Sequence, residues 1–128
     1  MVFMAYTDTN KYKLYYRDRL IGEVSDIHFG LGWLTGRFDL SASGQELIPF
    51  LEKYLELQDL WGGNQEVYDQ AVKDIALIYG FDMVDVQCWR LANVSANVVR
   101  QLAVVPFVDL ELDTISWREE EPTEGAGQ

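Results

Sequence analysis

The sequence contains one cysteine, Cys88, and one histidine, His28. A single cysteine excludes an intramolecular disulfide, and one thiol with one imidazole cannot complete a four-ligand zinc site without carboxylates. Nucleotide-binding signatures are also missing. Gly30, Gly32 and Gly36 follow a strand–turn–strand pattern rather than the strand–glycine–helix pattern of a dinucleotide site, and no Walker, Gly-x-Ser-x-Gly or His-Glu-x-x-His sequence occurs. We therefore expect no catalytic residue, no cofactor and no metal ion.

Positive charge is scarce. Ten Lys and Arg face 21 Asp and Glu, which gives a formal net charge of −11. Residues 65–128 hold most of the excess, with four basic and twelve acidic side chains, or −8. Such a field repels phosphate backbones and anionic lipids, so we expect neither direct nucleic-acid binding nor a membrane partner. A basic protein is a compatible partner; the alternative is that the acidity only keeps a small protein dissolved.

Long apolar runs are absent as well. The longest uninterrupted stretches, residues 75–79 and 102–108, are far shorter than the ~20 residues that span a bilayer. The first eight residues lack the basic and apolar regions of a signal peptide. Because a lone thiol is typical of a reducing compartment, we expect a cytoplasmic protein.

Apolar and aromatic side chains, by contrast, make up 48% and 13% of the 128 residues, enough for one folded domain. Apolar side chains alternate with period two in three stretches, which predicts three strands at residues 11–17, 20–29 and 33–40. The alternation slips within the second stretch, where Gly22 or the Ser25–Asp26 pair can host a β-bulge. A Gly-Leu-Gly turn separates the second and third strands, so we expect an antiparallel β-meander.

After residue 44 the apolar period becomes 3.6, which predicts two helices. Ser43 is the expected N-cap of the first helix, with Glu46 in the reciprocal capping position and an apolar stripe over residues 47–58. Asn64 is expected to cap a second helix, which stops at Gly80.

The C-terminal third is less regular. Residues 83–91 look extended, whereas residues 93–103 fit a short helix or a strand equally well. After Pro106 an alternating segment predicts a strand with an apolar and an acidic face, followed by a bulge, a bend or a turn into one more short strand. The apolar face would carry Val108, Leu110 and Leu112, and the acidic face Asp109, Glu111 and Asp113.

The segregation of strands and helices along the chain predicts an α+β fold. We expect an antiparallel β-meander of three N-terminal strands plus two or three C-terminal strands, with two main helices packed on one face. Residues 1–118 would form this single domain. Residues 119–128, rich in glutamate and small residues, would form a disordered acidic tail.

Two groups of side chains are candidates for chemistry or binding. His28 and Cys88 could act as a base and a thiol nucleophile, but both lie in predicted strands and nothing nearby activates the thiol. Asp109, Glu111 and Asp113 could bind a cation or a basic partner, although a solvated sheet face explains them more simply.

Two aromatic residues are candidate partner contacts. Trp61, in the loop between the helices, either plugs the core or is displayed as a contact anchor, and the plug is favoured. Tyr15 lies among Lys11, Lys13 and Arg17 on a polar strand face that could recognise an acidic or aromatic partner. The simpler alternative is a solvated face on which aliphatic stems cover the ring.

These features favour a non-enzymatic module whose acidic part docks a basic protein, the make-up of small acidic inhibitors, antidotes and adaptors. One alternative is a small-ligand-binding protein or enzyme with an aromatic-lined pocket between sheet and helices. Another is an acidic mimic of nucleic acid that presents carboxylate rows. We expect a monomer, or a homodimer through an exposed edge strand of the meander.

Overall fold

The structure is a computed structural model that describes residues 7–93, 95 and 99–119. Eight strands form one antiparallel sheet, and two α-helices, each flanked by short 3-10 turns, lie between the fourth and fifth strands. The strands are β1 (Thr7–Asp8), β2 (Tyr12–Tyr16), β3 (Arg19–Gly30), β4 (Trp33–Leu40), β5 (Trp89–Asn93), β6 (Val99–Arg100), β7 (Phe107–Asp109) and β8 (Thr114–Trp117); the helices are α1 (Ile48–Leu55) and α2 (Gln65–Tyr79). The predicted α+β fold, with its meander and two packed helices, is confirmed.

The meander β2–β3–β4 occupies the centre of the sheet, in the order β6-β5-β2-β3-β4-β8-β7, with β1 also paired to β3. C-terminal strands therefore cover both of its sides, β5 against β2 and β8 against β4. The sheet then curls back on itself, because Leu102 bridges Glu119 and the amide of Ala103 donates to the carbonyl of Arg118 at 2.8 Å. The meander is therefore flanked on both sides, and the outermost strands in the sheet order are β6 and β7.

The alternation of β3 slips at both places expected: a bulge against β4 at the Ser25–Asp26 pair, and a bulge against β2 at Ile21, next to Gly22. Ser25 pairs with Arg37 and His28 with Thr35, so two residues of β3 lie opposite one residue of β4. Asp26 adopts a φ of 53°, which lets the strand resume with its apolar side chains on the buried face.

The two helices differ in how well their starts were predicted. Asn64 caps α2 as expected, since its Oδ1 accepts from the amides of Glu66 (2.8 Å) and Val67 (3.2 Å). The capping box proposed for Ser43 is wrong. Ser41 is the cap, accepting from the amide of Gly44 at 3.1 Å, and it caps a 3-10 turn (Ala42–Leu47) that precedes α1. Ser43 instead donates to the carbonyl of Leu20.

Residues 83–88 are not extended, contrary to prediction. Two 3-10 turns, Phe81–Val84 and Val86–Cys88, precede β5. Asp85 accepts from the amide of Gln87 at 3.0 Å, and such a side-chain bond to the backbone competes with strand pairing. Within the undecided stretch 93–103, Val99–Arg100 form a strand, while residues 94 and 96–98 lie outside the described residues.

The strand expected after Pro106 is also cut short. β7 ends at Asp109, whose Oδ1 accepts from the amides of Glu111 (3.0 Å) and Leu112 (3.2 Å) and so turns the chain back into β8. Leu112 is accordingly 70% exposed at the turn rather than aligned with Val108. The carboxylates of Asp109, Glu111 and Asp113 therefore do not form a row on one strand.

One hydrophobic core joins all the layers. It draws on the sheet through Leu14, Ile21, Val24, Phe38 and Trp117, on α1 through Phe50, Leu51 and Tyr54, and on α2 through Ile75. Within the described part of the chain, no helix is long and apolar enough to cross a membrane. Glu119, the first residue of the predicted tail, is tied to Leu102, and residues 120–128 lie outside the described residues.

Candidate binding surfaces

A groove of about 720 Å³ lies between α2 and the turn that follows α1. Its apolar floor consists of Leu57, Leu60, Ala71, Ile75 and Ile78. The sequence folds this way because residues 71, 75 and 78 of α2 follow one another at helical spacing and share a face. Ile78 is 68% exposed, so this face continues from the core into open solvent. Leu57 and Ile75 are buried, so Ile78 supplies most of the exposed apolar surface of the groove.

The rim of the groove is acidic. Glu56, Asp59 and Asp74 line it together with Lys53. Lys53 contacts Glu56 at 3.2 Å, but both side chains are about half exposed, so the pair is weak. Neither Asp59 nor Asp74 has a cationic partner within the described parts of the chain. The rim thus presents carboxylates that no nearby cation neutralises.

The segment that contains the two helices carries most of the net charge of the protein. Residues 41–88 contain nine acidic and two basic side chains, a net charge of −7, whereas residues 7–40 contain five of each. Three of these acidic residues, Glu56, Asp59 and Asp74, line the groove itself. A basic partner approaching the groove would be attracted over a distance of about a Debye length.

Trp61 is neither fully buried nor fully displayed. The centroid of its ring lies 5.1 Å from that of Trp33 and 5.5 Å from that of Tyr68, and both pairs are edge-on. Even so, 37% of the residue stays exposed. The guanidinium of Arg118 lies over the rings of Trp33 (5.5 Å) and Trp61 (6.0 Å). Trp61 therefore covers core side chains on one side and offers a surface on the other.

Next to Trp61 is a second cavity, of about 380 Å³, lined by Tyr54, Tyr68, Val84, Val105 and others. Burial, with a further contribution from Tyr68, raises the pKa of the Tyr54 hydroxyl. Burial also raises the pKa of Tyr68, although the hydrogen bond with Tyr54 offsets part of this increase. Both phenols therefore stay protonated at neutral pH and offer neutral hydrogen-bonding groups to the cavity.

The remaining candidate contacts lie elsewhere. Tyr15 faces Arg90 across β2 and β5, and the guanidinium covers its ring at 4.5 Å, as expected if the face is only solvated. Asp109 and Glu111 line a small cavity of about 240 Å³ with Glu52 of α1. The structure thus does not bring Trp61, Tyr15 and the hairpin carboxylates together, and none of these candidates lines the groove.

The lone imidazole and the lone thiol are far apart. The carbonyl of Cys88 accepts from the amide of Arg17 beside the β2–β3 turn, whereas His28 lies nine residues beyond Arg19 along β3. At ~3.3 Å per residue this is roughly 30 Å of strand. The described ranges contain no cluster of three His, Cys, Asp or Glu side chains suited to a metal ion.

Sequence reasoning missed one charged cluster at the closure of the sheet. Arg100 contacts Asp8 and Glu119 at 2.6 Å each, Tyr12 donates to Asp8 at 2.6 Å, and Trp117 donates to Glu119 at 3.1 Å. Burial alone would raise the pKa of Asp8, but the hydrogen bonds from Tyr12 and Arg100 outweigh it and lower the pKa from 3.8 to about 2. No sequence spacing relates these residues, and their role is to join β1, β6 and the end of β8.

Comparison with known proteins gives no relative: no family model, no curated protein and no solved structure matches this chain.

Proposed function

We propose that this protein is a non-enzymatic binding module that docks a basic protein partner in the groove beside α2. The observation that carries the proposal is an apolar floor with an acidic rim, set in a segment of net charge −7. The partner would meet it in the cytoplasm, where a lone thiol such as Cys88 stays reduced.

The chemistry of the groove favours an amphipathic helix as the docking segment. Ile78 of α2 is exposed and Leu60, in the turn before α2, is partly buried, so both offer apolar surface at the groove, with Ile75 buried beneath them. Such a surface suits the apolar anchors of a helix supplied by the partner, spaced at i, i+3, i+4 and i+7. Lysines or arginines beside those anchors would meet Asp59 and Asp74 at the rim. Long-range attraction speeds encounter, and burial of the anchors slows dissociation.

A synthetic amphipathic helix, with leucines on one face and lysines beside them, tests this proposal. We expect it to bind at low salt and to weaken as salt rises, measured by fluorescence anisotropy. The double variant Asp59→Asn/Asp74→Asn should weaken binding roughly tenfold, about 0.7 kcal/mol for each exposed carboxylate. Ile78→Ser should also weaken peptide binding, because it removes an exposed apolar side chain from the floor of the groove.

The matched controls lie on the sheet and on the β7–β8 hairpin. Glu23→Gln/Asp39→Asn removes the same charge from exposed sheet positions, and Leu112→Ser removes an equally exposed apolar side chain. Both should bind like the wild type. Equal weakening by the sheet and rim variants would mean a general acidic field without a site, and no binding at low salt would refute the proposal.

The cavity of 380 Å³ supports a second candidate function, binding of a small aromatic molecule. The observation in its favour is that Tyr54, Trp61 and Tyr68 line it together. In a thermal-shift screen of metabolites, a ligand at about 100 times its Kd would add ~2.7 kcal/mol of stability. Ala103→Trp, which fills the cavity from an exposed position, should abolish that shift; a flat screen removes this candidate.

A further inference from the structure

The tip of the β3–β4 hairpin has a conformation that its sequence does not favour. Gly30 pairs with Trp33, and the two residues between them, Leu31 and Gly32, have φ values of 56° and 86°. This is the left-handed backbone of a tight hairpin turn, in which asparagine and glycine are the usual residues. Leucine costs ~1–2 kcal/mol there because its Cβ approaches the following carbonyl oxygen.

Leu31 is also 99% exposed, so nothing within the described chain offsets this cost. Beside it lies Arg118, with Nη1 3.1 Å from the point at which a Cβ on Gly32 would lie. Arg118 forms no salt bridge with any residue that the structure describes, and Trp33 and Trp61 hold its guanidinium. Leu31 and Arg118, which we call the hairpin tip, thus combine a protruding apolar side chain with an unneutralised cation.

The acid-rimmed groove is the complement of this surface: it offers an apolar recess for Leu31 and the carboxylates of Asp59 and Asp74 for Arg118. The two surfaces are neighbours. Trp61, which contacts Arg118, directly follows Leu60 in the chain, and Leu60 lines the groove. Two complementary surfaces of one chain satisfy each other when a second copy is related by a two-fold axis.

We propose that the protein forms a symmetric dimer in which the hairpin tip of each copy enters the groove of the other. The two identical contacts close the assembly, so it stops at two copies and does not extend into a fibre. The dimer is weak, because two charges of −11 repel each other and a hairpin tip buries little area. It also covers the groove proposed to dock a basic partner, so the dimer and that partner exclude each other.

Sedimentation analysis of the full chain, up to about 1 mM, tests the proposal at low salt and at about 0.5 M NaCl. We expect a species of twice 14.7 kDa that increases with salt, because screening weakens the long-range repulsion between two chains of −11 more than it weakens the two short contacts of Arg118. This salt dependence is opposite to that expected for the basic peptide. A failure of either proposal can therefore be recognised separately. A monomer at all concentrations in high salt would overturn the dimer.

Leu31→Asn separates association from folding. Asparagine accepts the left-handed conformation, so this variant should melt a few degrees above the wild type in dilute solution while losing the dimer. Leu112→Ser, equally apolar and exposed on the other hairpin, should dimerise normally. Undiminished dimerisation of Leu31→Asn would refute the role of the tip.

A charge exchange identifies the contact itself. Arg118→Glu alone places like charges at the interface, and so does Asp74→Arg alone; each variant should be monomeric. Mixed together, they should form a heterodimer, because one contact then pairs Arg118 with Asp74 and the other pairs the two introduced charges. The mixture also shows that both variants are folded. Two variants that stay monomeric after mixing would overturn the proposed geometry.

Discussion

Arg100→Met should destabilise the protein by about 3 kcal/mol, the lower end of the cost of breaking a buried ion pair, because it leaves two partly buried carboxylates without their counter-charge. The side chains of Arg100 and Asp8 are only 11% and 8% exposed, and Glu119 would lose the same partner. Urea denaturation at neutral pH measures the effect. Lys53→Met is the matched control, since its partner Glu56 is well exposed, and it should cost under ~0.5 kcal/mol. Equal effects of the two variants would contradict the assigned role of the cluster.

The same cluster predicts a pH dependence. The folded-state pKa of Asp8, about 2, lies below the ordinary value of 3.8. Its contribution to the free energy of unfolding is therefore fully present above about pH 4 and is lost as the pH falls toward 2. Because Arg100→Met removes one of the groups that lower this pKa, the gap in stability between variant and wild type should narrow over the same interval. A difference in the free energy of unfolding that stays constant down to pH 2 would contradict this prediction.

Gly44→Ala should be comparably damaging, at about 3 kcal/mol, the upper part of the usual range for overpacking. A Cβ at Gly44 would lie 2.3 Å from the carbonyl oxygen of Ile21 and 3.0 Å from the Cα of Ile21. Those atoms belong to the backbone of β3 and cannot rotate away. Ser41 fixes the approach, because its amide donates to the same carbonyl oxygen at 2.9 Å. Thermal and urea unfolding of dilute protein measure the loss.

Gly30→Ala provides the control for Gly44→Ala. No heavy atom lies within 4 Å of a Cβ built at Gly30, and its φ is outside the left-handed region. This change should be neutral, or stabilising by up to ~1 kcal/mol through the unfolded chain. A Gly44→Ala variant as stable as Gly30→Ala would show that the segment after β4 is free to move away from β3.

The sequence alone determined the elements that depend on neighbours in the chain. The meander follows from period-two alternation joined by short turns, and α2 follows from a cap at Asn64 and a stop at Gly80. The bulge near Ser25 and Asp26 was visible because the alternation itself slips there. In each case the decisive interactions join residues close in sequence, so a local pattern is sufficient to predict them.

Asp85 and Asp109 mark the limit of such patterns. Both lie in segments that alternate like strands, yet each turns the chain by accepting a hydrogen bond from the amide two residues on. Alternation cannot reveal whether an aspartate faces solvent from a strand or binds its own backbone, because the two states have the same sequence pattern.

Only the tertiary structure decided which distant segments meet. It gathered Asp8, Arg100 and Glu119 into one partly buried cluster, set the apolar floor of the groove beside an acidic rim, and placed Arg118 between two tryptophans next to Gly32. These groupings arise from the closure of the sheet and the packing of helices on it. They are the physical basis for both binding proposals, and no spacing along the chain encodes them.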